Sequence, residues 1–221
     1  MLDSCNVMRG SKSGLETRIR QKHCPTLLDV DGDSCHHVHN AAKTFAAPFS
    51  NFLEALFTDI HTDNQWASDQ LDYLKIICEF LDVPATNPPR FISHRWLSAY
   101  DVGFSTKRML PALRILYDGF MKKQDQDVYK EVLQDMYREH EVSDQAQRRI
   151  ELIHKDLCKK VTDQGKNKKA RICQKIWVES RKVDLHLSVY LGVLPILKEC
   201  HGLSSEYFHI QYNATNQHRG F

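Results

Sequence analysis

No long apolar run exists in this 221-residue chain: the longest, residues 189–197, is interrupted by Gly192 and Pro195. It falls far short of the roughly 20 residues that span a bilayer, so no transmembrane helix is expected. A charge excess is also missing. Thirty Lys and Arg oppose 28 Asp and Glu, and the formal +2 gives no global attraction to nucleic acid or to an anionic membrane. Any DNA contact must therefore be local. Nor is there a disulfide framework: Cys5, Cys24, Cys35, Cys78, Cys158, Cys173 and Cys200 are odd in number and scattered, with no secretory apolar segment before them. The expectation is an intracellular, reduced protein, in which Asn213-Ala214-Thr215 matches a glycosylation acceptor by chance. Strand-like runs are scarce, and no segment repeats at a fixed period.

What is there is ordinary globular material, 42% hydrophobic and arranged largely at helical spacing. After a turn-prone patch at Gly10, Ser11, Ser13 and Gly14, Leu15 and Ile19 suit a short helix ending near His23-Cys24-Pro25. Thr26-Leu27-Leu28-Asp29-Val30 offers the one strand-like run, before a turn at Asp31-Gly32-Asp33. Val38, Ala41, Ala42 and Phe45 begin a helical stripe that resumes after Pro48, where a second helix starts or one long helix kinks. The stripe persists through Leu56, Ile60, Leu71, Leu74, Ile77 and Leu81, then stops at Pro84 and Asn87-Pro88-Pro89, an extended linker and the best internal boundary. Beyond it, stripes at 109–120, 129–137, 150–161 and 170–177 predict at least four further helices. Val183, Leu185, Leu187 and Val189 alternate like a strand, whereas Leu187, Tyr190, Leu191, Leu194 and Leu197 fit a helix; helix is the reading taken. Residues 201–221 show no sustained period and are expected to form a poorly ordered tail.

The densest polar cluster is Cys35-His36-His37-Val38-His39, preceded by Asp29, Asp31 and Asp33. A calcium loop would need Gly at Ser34 and Glu at Asn40. Zinc could use Cys24, Cys35 and two of the histidines, but no second spaced pair completes a tetrahedron. The plainer reading is a helix start with Cys35 packed as a small hydrophobe. Cys35 beside a histidine is a weak nucleophile signal, because neighbours on one helix seldom face each other. Lys166, Lys168 and Lys169, with Arg171 and the Lys159-Lys160 pair, form the most concentrated positive stretch. It reads as a phosphate-contacting or nuclear-localisation patch, against the commoner solvated helix face. His94-Arg95-Trp96 sets a cation beside an aromatic surface, a pair suited to phosphate and an exposed base, against the plainer reading of Trp96 as a core anchor.

In this order, Leu2-Asp3-Ser4-Cys5-Asn6-Val7-Met8-Arg9-Gly10, Cys35-His36-His37-Val38-His39-Asn40-Ala41-Ala42 and His94-Arg95-Trp96-Leu97-Ser98 resemble hAT-superfamily transposases and their domesticated vertebrate relatives. A less specific likeness continues to about Glu199. The resemblance implies an RNase H-like core interrupted by a helical insertion, with three acids holding Mg²⁺ or Mn²⁺ for DNA strand cleavage and joining. Asp3 matches the second acid, Cys35 and His36 the Cys/His motif, and Trp96 the tryptophan that stacks on DNA near the break, with Arg95 facing phosphate. No residue matches the first acid, and the surroundings of Glu206 do not match those of the third. One carboxylate cannot fix two Mg²⁺ ions.

The fold class expected is mostly α, formally α+β: a partial RNase H-like segment at 1–83, a linker at 84–94, a helical insertion-like domain at 95–200 and a tail at 201–221. The function expected is that of a non-catalytic remnant or fragment of an hAT-type transposase, intracellular and nuclear, with residual binding to DNA, to a protein partner or to its own copies through exposed helical faces. Asp3 would be without function; Arg95, Trp96, Lys166, Lys168 and Lys169 would be the nucleic-acid contacts. The alternatives are a helical protein-interaction module and a Zn²⁺-stabilised binding domain.

Overall fold

The computed structural model describes residues 12–23, 34–65, 67–92 and 98–217, and among them every regular element is helical. The elements are α1 (Leu15–Lys22), α2 (Ser34–Ala46), a 3-10 turn (Ala47–Phe49), α3 (Phe52–Asn64), α4 (Ser68–Phe80), α5 (Ser98–Asp118), α6 (Lys123–Glu139), α7 (Asp144–Lys160), α8 (Asp163–Trp177) and α9 (Ser180–Gln217). The chain is mostly helical, as its periodicity requires. The strand expected at residues 26–30, and with it the RNase H-like segment, lies outside the described residues.

The chain divides into two compact units, the larger comprising Phe49–Ser93 and Ser98–Gly192. The other draws its described residues from Met1–Pro48 and Val193–Phe221; within it α2 buries Ala42 and Ala46, and Leu194 is also buried. In the larger unit α5 is the axis, packing against α3, α4, α7 and α8. Its buried residues include Ala99, Val102, Met109, Leu113, Ile115 and Tyr117, which lie around the whole helix rather than along one stripe, as a helix surrounded by others demands. Gly119 allows α7 to come close. A Cβ there would come within 2.9 Å of the His154 ring on α7, while His154 Nε2 donates to the Ile115 carbonyl at 2.7 Å. Trp177, at the end of α8, donates from Nε1 to the Arg114 carbonyl at 2.9 Å, and Arg114 Nε returns a bond to the Ile176 carbonyl.

The proline-rich segment, residues 83–92, holds no regular element; it lies inside the larger unit, and helices on either side of it pack together. It is stapled down: His61 Nδ1 donates to the Pro88 carbonyl at 2.9 Å, Thr86 meets Ser105 at 3.0 Å, and the Phe91 ring packs beside Phe57. At Pro48 the break is complete, because the 3-10 turn is followed by Ser50 and Asn51 with φ of 55° and 54°. Two successive left-handed residues cannot continue an α-helix.

Two helix ends share one design. After α4, Asp82 (φ 51°) is left-handed, and Val83 N–H bonds back to the Cys78 carbonyl. After α6, Glu141 (φ 51°) does the same, with Val142 N–H on the Tyr137 carbonyl. Both are six-to-one closures of the Schellman kind, built without glycine. His140 Nδ1 ties them together by donating to the Leu81 carbonyl at 3.0 Å.

At residues 183–197 the ambiguity between strand and helix is resolved by burial. Val183, Leu187, Tyr190 and Leu194 are buried, whereas Leu185 is 61% exposed, so the apolar face has the helical period and not the alternating one. The helix continues through Gln217, across residues without a hydrophobic period; adding a residue to an existing helix needs no new nucleus.

Candidate binding surfaces

The basic run lies on α8. Thr162 caps this helix, accepting from Gly165 N–H, and a Cβ on Gly165 would meet Val161 at 2.5 Å. Lys169 does not reach solvent. It is 4% exposed, and its ammonium lies 2.6 Å from Asp63 Oδ2 and on the side-chain oxygen of Gln70. Around the same carboxylate oxygen, Tyr117 Oη–H donates at 2.8 Å and Gln70 Nε2 at 2.8 Å; Asn64 donates to Tyr117 Oη at 3.1 Å and to the Ile60 carbonyl. This is a closed polar cage between α3, α4, α5 and α8, with the Tyr117 and Phe120 rings each 5.8 Å from the ammonium. Burial pulls the Lys169 pKa down and Asp63 counters it; burial, followed by the Asp63 charge, pushes the Tyr117 hydroxyl well above its ordinary value. The assignment of Lys169 as a nucleic-acid contact is thereby corrected, since its charge is committed inside the fold.

The rest of the run is exposed but largely paired. Lys166 faces Asp163 at 3.3 Å, Lys168 donates to Thr62 Oγ1 at 2.8 Å, and Arg171 and Lys175 share Asp59. Lys160 bridges Asp69 and Asp156. A polar cleft of about 430 Å³ opens beside the start of α8, lined by Thr162, Gln164, Gly165, Asn167, Lys168 and Arg171. Asp3, Arg95 and Trp96 lie outside the described residues. Cys35 and His36 fall in the first turn of α2, and their side chains are likewise outside the description. Among the described residues no three His, Cys, Asp or Glu side chains converge as metal ligands would.

A second surface carries a different chemistry. Ser143 caps α7 by accepting from Ala146 N–H at 3.3 Å, and Ala146, Ile150, Ile153 and Leu157 turn one face of the helix into the core. The adjoining face faces outward. There Leu152 is 54% exposed, and with Phe80 from the end of α4 and Ala146 it floors a shallow groove of about 570 Å³. Gln145, Arg148 and Arg149 edge it. Among the described residues neither arginine has an ion-pair or hydrogen-bond partner, in contrast to the α8 cations.

Sequence reasoning missed this groove, although a signal was present. With 150, 153 and 157 facing the core, Leu152 is out of phase and must face outward, and it lies four residues after Arg148 and three after Arg149, on their side of the helix. Neither a family model, nor a curated protein, nor a solved structure matches this chain.

Proposed function

We propose that the chain works by association: a non-catalytic helical interaction module derived from an hAT-type transposase, which binds a partner on its outward helical faces. The observation that carries this reading is the α4/α7 groove, where Leu152 is exposed and Phe80 half-buried beside two arginines that have no partner among the described residues. Exposed apolar surface rimmed by polar groups is how binding sites on soluble proteins are built. The transposase descent is supported by the ordered motifs around Asp3, Cys35-His36 and Arg95-Trp96. Catalysis is tested by incubating the purified chain with supercoiled plasmid and Mg²⁺ or Mn²⁺. No nicking or joining above the buffer control is expected; nicking abolished by Asp3→Ala would overturn the reading.

A second reading, residual DNA binding, is favoured by the polar cleft at the start of α8, where Lys168 and Arg171 stand beside backbone N–H groups of the first turn. It expects salt-dependent binding of single-stranded or hairpin DNA by anisotropy. Lys168→Ala with Arg171→Ala should flatten the salt slope, and Trp96→Ala should weaken binding at every salt concentration.

A further inference from the structure

Resting on the association reading, we infer that the α4/α7 groove docks an amphipathic helix whose apolar stripe is flanked by acidic residues. The floor of Phe80, Ala146 and Leu152 is apolar, and the stems of Arg148 and Arg149 extend it while their guanidinia stay in water. From Ser143 to Leu152 the α7 edge of the groove rises about 14 Å, room for two to three turns of a partner helix.

The charge pattern selects the flanks. Arg148 and Arg149 are the charged residues lining the groove, and neither makes an ion pair among the described residues. Guanidinium groups bind carboxylates in forked geometry, and complementary rims steer partners together. No strand among the described residues offers an edge for strand addition, and the α7 edge has the length to seat a helix lying in the groove. Two cations and one half-buried aromatic ring are too few to track a nucleic-acid backbone and stack its bases.

The test uses the full chain and labelled helical peptides of about 15 residues with one leucine stripe and Glu, Gln or Lys on both flanks. The Glu peptide is expected to bind at least about tenfold tighter than the Lys peptide, a difference of about 1.4 kcal/mol. Arg148→Glu with Arg149→Glu should invert that preference, Arg148→Gln with Arg149→Gln should level it, and circular dichroism should be unchanged. Equal affinity for all three peptides, or an unaltered preference in the Glu variant, overturns the inference. So does displacement of the Glu peptide by single-stranded DNA. If the Gln peptide alone binds and Leu152→Ser abolishes it, the acidic partner falls and the association reading stands; if no peptide binds, both fall.

Discussion

At the seam of α3 and α8, Lys169 and Asp63 sit 2.6 Å apart, with side chains 5% and 7% exposed and with Gln70, Tyr117 and the Phe120 ring around them. On α7, Arg148 and Arg149 stand in solvent beside exposed leucine with no partner among the described residues. The same kind of charge thus has two roles. In the cage it fixes which helices meet, at the cost of desolvating an ion pair; at the groove it adds nothing to the fold and is available to something else. A buried pair punishes the loss of one member, because the other is left charged and dry, whereas an exposed, unpartnered cation can be removed freely.

The largest effect should come from breaking the cage. Lys169→Ala is expected to lower stability by about 3–5 kcal/mol in urea unfolding, and Lys169→Met with Asp63→Leu, which removes both charges, should recover most of it. If the single and double variants are equally unstable, the cage is a matter of packing and the contrast with the groove disappears.

Next comes Asp118, beside the cage residue Tyr117 but with no side-chain partner among the described residues. Burial raises its pKa from 3.8 to about 6. Above pH 6 the folded state carries an uncompensated charge; as pH falls from about 6 to 3.8 the folded chain takes up this proton before the unfolded chain does, and stability from this group rises. Asp118→Asn should therefore stabilise at pH 7.5 by on the order of 2 kcal/mol, and the gain should vanish near pH 4. The comparison must be with wild type at each pH. His154, whose pKa burial lowers, works the other way: its contribution is whole above pH 6.5 and is lost as pH falls below it.

A smaller gain is expected at the turn leading into α7. Glu141 is held at φ 51°, so Glu141→Gly should raise stability by about 1 kcal/mol by thermal unfolding. The smallest effect belongs to the groove: Arg148→Ala or Arg149→Ala should change stability by less than about 0.5 kcal/mol. A larger loss would mean that these arginines serve the fold after all.

Helix positions were legible because apolar residues at helical spacing have one place to go, and the stripe from Met109 to Phe120 is buried throughout. The fate of Lys169 was not read, although its phase gives it away: it stands three and four residues before Ile172 and Cys173 and so shares their core-facing side. Reading the run by its charge hid the phase. Its partner Asp63, in a different helix, has no local signature at all. The break in the helices at Pro84 to Pro89 was legible from the prolines, but what the segment packs against was not, because its staples to His61 and Ser105 depend on tertiary neighbours.

The cage also sets a schedule. Asp63 and Gln70 precede Lys169 by 106 and 99 residues. At about 5–20 residues per second, a growing chain holds them for roughly 5–20 seconds before their cation is made. During that interval α3 and α4 have a carboxylate where their core should close, so the first half of the larger unit cannot settle by itself. Its final packing is timed by the synthesis of α8, and until then it is the natural client of whatever shields nascent chains.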